Sequence, residues 1–161
     1  MRVEQVMTRT VESCRADERL NRAAQIMWEH DCGVVPVVAA GNGRARVVGM
    51  LTDRDICMAA YTQGRALPEI PVASAMSKRV CSCRPTDAIS VALKVMETNQ
   101  IRRLPVVDQE DQLVGMLSLA DLGREARYEH GRQIADITDA AVGMVEEAIC
   151  KPRATGALVA A

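Results

Sequence analysis

Gly49-Met50-Leu51-Thr52-Asp53-Arg54-Asp55 and Gly115-Met116-Leu117-Ser118-Leu119-Ala120-Asp121 state the same pattern twice, at an offset of 66 (49 to 115). Each is an apolar run that ends on a hydroxyl residue, with a carboxylate three positions later. That pattern is a strand turning directly into a capped helix. Further upstream the match continues at an offset of 69 (7 to 76). Met7 falls on Met76, Ser13-Cys14-Arg15 on Ser82-Cys83-Arg84, Met27 on Met96, and Pro36-Val37-Val38 on Pro105-Val106-Val107. The slip in register lies within 39–46, where Gly41-Asn42-Gly43 marks a turn. A length change confined to a turn is the mark of a structural repeat.

Two units follow, 1–66 and 67–130, with a tail over 131–161. The seam Ala66-Leu67-Pro68-Glu69-Ile70-Pro71 is punctuated by two prolines. In the first unit the periodicity predicts a strand at Val11–Cys14 and a helix over Leu20–His30 capped by Asp17. A strand at Val34–Ala39, a hairpin at Gly41–Gly43, a strand at Arg46–Leu51 and a helix from Thr52 to Tyr61 complete it. The second unit repeats this as Val80–Cys83, Ala88–Thr98, Arg103–Val107, Gln112–Leu117 and Ser118–Arg127. Lead-in segments, Val3–Met7 and Val72–Met76, precede the two units. A small sheet with helices on one side leaves a face bare. The expected fold is therefore α+β: two tandem β-α-β-β-α units with their sheets packed together. In the tail, Ile134, Ile137, Ala141, Met144, Val145, Ala148 and Ile149 recur at helical spacing. They predict a C-terminal helix that covers the module's own core or a dimer seam, or that docks a partner. Lys151-Pro152 ends it, and 154–161 reads as a frayed end.

Composition removes several function classes. A chain with 48% hydrophobic and 25% charged residues is an ordinary globular one. No apolar run is long enough to span a membrane, and the N-terminus has no signal-peptide core, so the expected location is cytoplasmic. A net charge of −1 and an aromatic content of 2% argue against nucleic acid as a partner. With only His30 and His130, no Ser-His-Asp, Cys-His or HExxH arrangement is visible, so an enzyme is not expected. Six cysteines in a reducing compartment read as thiols, mostly small buried hydrophobes. Cys14, Cys81 and Cys83, with Cys32 or a histidine, keep open a metal- or redox-responsive role.

The repeated hydroxyl and carboxylate admit two readings. As a capping box, Thr52 or Ser118 receives the helix N–H while Asp55 or Asp121 reaches back to the cap. As a binding site, the same helix start offers N–H groups to phosphate, the hydroxyl donates to it, and the carboxylate accepts from ribose hydroxyls. Occurrence in both copies raises the second reading. Arg102-Arg103 precede the proline of the second unit, where the first unit has Cys32-Gly33-Val34-Val35-Pro36 and no basic residue. Guanidinium suits bidentate phosphate contact. The alternative for these two arginines is surface solvation or an ion pair.

Together, the Gly-φ-φ-Thr/Ser-x-x-Asp motif (φ apolar) and the apolar-Pro-Val-Val strand of both copies resemble a pair of CBS domains, a Bateman module, over residues 1–130. The chain resembles stand-alone bacterial two-CBS proteins, including the hypoxic-response type. The resemblance implies pseudo-twofold symmetry and a non-enzymatic sensor that signals through a partner interface, usually as a homodimer. It implies adenosine-containing ligands, AMP, ADP or ATP and in some members S-adenosylmethionine, with no cofactor required. Asp55 and Asp121 then hold ribose, Thr52 and Ser118 approach phosphate, and Arg102 and Arg103 neutralise it. Val34, Val35, Pro36, Leu104 and Pro105 flank adenine. The cleft with Ser118, Asp121 and an arginine is the expected stronger site.

Overall fold

The computed structural model describes residues 1–39, 45–132 and 137–152. The hairpin expected at Gly41–Gly43, Ile134 of the tail helix and the end over 154–161 lie outside the described residues. The elements are β1 (Cys14–Arg15), α1 (Leu20–Glu29), β2 (Val34–Val38), β3 (Val47–Thr52) and α2 (Asp53–Gln63), then α3 (Ile89–Asn99), β4 (Arg103–Val107), β5 (Leu113–Ser118), α4 (Leu119–Arg132) and α5 (Asp139–Cys150). Short 3₁₀ turns occupy the two lead-ins, at Val3–Gln5 and Val72–Ser74. The α+β content and the repeated element order are those expected from the sequence.

Packing divides the chain differently from the repeat. One compact unit is Val11–Val80 with Glu110–Leu113; the other is Met1–Thr10 and Cys81–Gln109 with the chain from Val114 onward. The boundaries 1–66 and 67–130 therefore mark the repeat in the sequence, whereas the N-terminal lead-in completes the second repeat's unit and the middle lead-in completes the first.

The hydrogen bonds show what each lead-in supplies. In the first-repeat unit, Leu20 N–H donates to Ile70 O at 3.0 Å, Val72 N–H to Glu18 O at 2.9 Å and Ala73 N–H to Ala16 O at 3.0 Å. Ser77 and Met50 then exchange N–H···O bonds of 2.8 and 3.0 Å, which adds one rung to the open edge of β3. The second-repeat unit repeats the scheme. Ile89 N–H donates to Met1 O at 3.3 Å, Val3 N–H to Asp87 O and Glu4 N–H to Pro85 O at 3.0 Å each, and Thr8 exchanges two 2.9 Å bonds with Met116. Val3, Ile70 and Val72 are fully buried in the respective cores. The lead-in thus satisfies an orphan N–H at a helix start, covers a strand edge and fills the core in one pass.

This arrangement corrects the cap assigned to Asp17. Arg19 occupies the cap position of α1 and makes no side-chain cap bond. Asp17 instead accepts from Arg15 Nε at 2.8 Å, while the Arg15 N–H donates to Glu18 Oε2 at 2.6 Å. The Ile70 carbonyl does the work that a side-chain cap was expected to do.

In the first-repeat unit, β1 runs parallel to β2 with Cys14 opposite Val37, and β3 runs antiparallel to β2 with Val34 opposite Thr52. The first strand is shorter than the predicted Val11–Cys14. Its counterpart at Val80–Cys83 is reduced to a single parallel bridge between Cys83 and Val106, beside β4 and β5. Leu20, Ala23, Ile26 and Met27 of α1 pack on Val35, Val37 and Leu51; Ile89, Ala92 and Met96 of α3 pack on Leu104, Val106 and Leu117. Helix α5 starts at a Thr138 cap, whose Oγ1 accepts from Ala141 N–H at 3.1 Å. Ile137 and Val145 enter the second-repeat core, with Ala141, Val142 and Ile149 packed against it, while Met144 faces outward. The tail helix therefore covers the protein's own core, the first of the roles considered for it.

Gly49 and Gly115 are small because a lead-in methionine lies over each. A Cβ at Gly115 would stand 2.8 Å from Met7 Sδ and 2.9 Å from the Thr8 carbonyl; at Gly49 it would stand 2.6 Å from Met76 Sδ and 3.0 Å from the Ser77 carbonyl. The thioether can swing aside, but the paired carbonyl cannot without breaking its rung. Gly115→Val is expected to lower stability by about 1–3 kcal/mol through overpacking, read as a lower urea midpoint. Met7→Ala in the Gly115→Val background should recover only part of the loss.

Candidate functional site

Both hydroxyl–carboxylate pairs form closed capping boxes. Thr52 N–H and Oγ1–H donate to Asp55 Oδ2 at 2.9 and 2.7 Å, and Asp55 N–H donates to Thr52 Oγ1 at 3.2 Å. Ser118 N–H and Oγ–H donate to Asp121 Oδ2 at 2.8 and 2.6 Å, and Asp121 N–H donates to Ser118 Oγ at 3.1 Å. Antiparallel strands deliver these hydroxyls to the sheet edge, and both pairs are half-buried. Each box uses one carboxylate oxygen and leaves the other pointing away from the cap.

The spare oxygens differ. Asp121 Oδ1 is ion-paired with Arg124 one turn along α4. The first copy has Met58 at the position of Arg124, and Asp55 Oδ1 accepts from no group among the described residues. The Arg124 contact was not anticipated, although an acid and a base three apart on a helix is its signal.

The residue before each proline-bearing strand reaches the same helix start. The Gly33 carbonyl accepts from Asp53 N–H at 3.2 Å, and the Arg102 carbonyl accepts from Leu119 N–H at 2.8 Å. Around α2 the neighbouring groups are acidic. A shallow cavity of about 360 Å³ is lined by Met27, Trp28, Asp31, Cys32, Gly33 and Asp53. Gly33 lies so close to Asp53 that a Cβ there would be 3.1 Å from Oδ2. Around α4 the corresponding groups are Leu119 and the exposed Arg102 and Arg103. Arg102 Nη2 approaches Cys150 Sγ at 3.6 Å, and Arg103 has no partner among the described residues.

The residues named to flank adenine divide by burial. Val34 is half-buried at the start of β2, and Pro36 and Pro105 are buried mid-strand. Val35 and Leu104 are core side chains, so a ligand beside them meets backbone.

All six cysteines are free. Cys14 and Cys83 are buried at equivalent positions in different compact units, and Cys81 is half-buried. Burial, reinforced by Glu18 for Cys14 and by Asp87 for Cys83, pushes both thiols up to about 12. Among the described residues no three His, Cys, Asp or Glu side chains converge on a metal-sized site. No helix among them is long and apolar enough to cross a membrane.

The CBS domain family model matches residues 3–61 and 72–127. The CBS domain-containing protein YhcV of Bacillus subtilis is 39% identical over 120 residues, covering 74% of this chain and 81% of that protein. Hypoxic response protein 1 of Mycobacterium tuberculosis is 32% identical over 150 residues, covering 92% of this chain and 94% of that one. A crystal structure of Hypoxic Response Protein I with two coordinated zinc ions matches at a TM-score of 0.68 and 31% identity over 77% of this chain and 98% of that chain. A CBS domain protein from Pyrobaculum aerophilum complexed with AMP matches at a TM-score of 0.67 and 25% identity, over 76% of this chain and 90% of that chain. With both copies matched in order and the hydroxyl–carboxylate box formed in each, this chain belongs to the CBS-domain family and carries the domain twice in tandem.

Proposed function

We propose that this protein is a non-enzymatic regulatory sensor that binds an adenosine-containing ligand and passes its occupancy to a partner protein. The observation that carries the reading is the doubled hydroxyl–carboxylate pair at a helix start. The AMP held by the Pyrobaculum relative supports it. In this reading Asp55 and Asp121 offer their outer oxygens to ribose hydroxyls, and Thr52 and Ser118 with the adjacent helix N–H groups meet phosphate. Val34 and the backbone along Val35–Pro36 and Leu104–Pro105 flank adenine.

Charge ranks the two copies. Arg102 precedes β4 and Arg103 opens it, and Leu119 and Ala120 open α4 without an acid before Asp121. The start of α2 carries Asp53 beside Asp31, which repels phosphate. The second-repeat site is therefore the stronger for AMP, ADP or ATP, and a ribose there displaces Arg124 from Asp121. The first-repeat site tolerates an uncharged or cationic nucleoside such as S-adenosylmethionine better than a nucleotide.

Isothermal titration of reduced, metal-free protein with AMP, ADP, ATP and S-adenosylmethionine tests this. A phosphate-bearing nucleotide is expected to bind at micromolar concentration, with binding lost in Asp121→Ala and kept in Asp55→Ala. Silence from all four ligands overturns the reading and leaves both motifs as helix caps. The same reading carries a cytoplasmic location and a homodimer. Trp28, Met58 and Tyr61 are exposed on α1 and α2, at 88%, 46% and 81%, and suit a paired helix face. Sedimentation is expected to give a dimer, shifted toward monomer by Tyr61→Lys.

A metal- or redox-responsive role for Cys14, Cys81 and Cys83 draws on the zinc-bearing Hypoxic Response Protein I structure. The raised Cys14 and Cys83 thiols weigh against it, because thiolate is the ligand and the nucleophile. Ellman's reagent at pH 8 is expected to titrate the exposed Cys57 and Cys150 quickly, and Cys14 and Cys83 only on unfolding. The folded-state value lies above the ordinary 9.0, so stability is full below about pH 9 and falls as pH rises toward about 12. Cys14→Ala should make that alkaline decline shallower.

A further inference from the structure

The link between α3 and β4 touches two helices at once. Gln100 adopts φ 51° at the end of α3, and its Nε2 donates to the Ala148 and Lys151 carbonyls at 3.1 Å each. Arg102 accepts the first N–H of α4 through its carbonyl, at 2.8 Å, and reaches Cys150 Sγ with Nη2 at 3.6 Å. Residues 100–102 therefore hold the last turn of α5 and the first turn of α4 together. The first repeat keeps the backbone of this link without its reach. Asp31 has φ 46° and the Gly33 carbonyl accepts from Asp53 N–H, but Gly33 has no side chain to extend to a further helix. The connection is specific to the second repeat.

We infer that α5 reports occupancy of the second-repeat site: a phosphate at the start of α4 draws the Arg102 guanidinium off Cys150 and loosens the last turn of α5. This rests on the nucleotide reading above. A thiol sulfur is a weak acceptor. A phosphate offers charge-assisted, bidentate bonds about twice as strong as neutral ones. The guanidinium therefore goes to phosphate when both are in reach. The rest of α5 stays seated through Val145 and Ala141, so the change is confined to the last turn, which Gln100 and the Ile149 side chain then hold without Arg102. Coupling is reciprocal, so a group that grips Arg102 on α5 weakens nucleotide binding.

Cys150→Asp supplies such a grip at an exposed helix end where folding is not at stake. AMP is titrated into the full chain, Cys150→Asp, Arg102→Met and the double variant, with amide hydrogen exchange of the full chain followed in parallel. Cys150→Asp is expected to weaken AMP several-fold, and to change nothing once Arg102 is Met. Saturating AMP is expected to speed exchange across residues 148–150 several-fold. AMP binding with an unchanged exchange rate, or an equal loss from Cys150→Asp in the Arg102→Met background, overturns the inference and leaves the nucleotide reading standing. A full chain that binds no AMP overturns that reading and the inference with it.

Discussion

The fold depends on two backbone carbonyls. Ile70 and Met1 each accept the first N–H of a helix, α1 and α3, that has no side-chain cap of its own. The segments that bring these carbonyls also bury Val72 and Val3 and pair one rung beyond β3 and β5. A helix start without a partner for its N–H groups is unfavourable inside a protein. The lead-ins therefore fix where each helix can begin, and the helices fix where the proline-bearing strands lie. From those strands follows the position of Thr52 and Ser118.

At those hydroxyls the proposed function would use the same atoms as stability does. A capping box of this kind contributes on the order of 1 kcal/mol to a helix. It also holds one carboxylate oxygen still and leaves the other outside the box. The two copies then diverge through their neighbours rather than through the box. Arg124 occupies the spare oxygen in one copy; in the other it accepts from no group among the described residues, and Asp31 and Asp53 line the shallow cavity at that helix start.

The repeat, the helices and the boxes were legible in the sequence because each rests on local spacing. Apolar positions three and four apart give α1 and α3, and a hydroxyl with an acid three residues on gives the box. The exchange of lead-ins was not legible. Nothing in Val3–Met7 says which copy of a duplicated pattern it will complete, since both copies present the same acceptors. The Asp17 assignment failed for a related reason: a polar residue ahead of a helix looks like a cap until a distant carbonyl takes the N–H. Where the sequence did differ between copies, at Gly33 against Arg102, the difference was readable as charge. The reach of Arg102 to Cys150 was not, because it spans almost fifty positions.

The exchange of lead-ins also constrains descent. A duplicated gene normally leaves each copy free to drift or be lost. Here deletion of either repeat removes the segment that finishes the other one's helix start and strand edge. A truncation at the sequence seam yields a fragment bearing the lead-in its core does not use and lacking the one it needs. The two repeats are therefore bound together under mutation: a side chain gained at Gly115 strikes the lead-in at Met7, and one gained at Gly49 strikes the other lead-in at Met76.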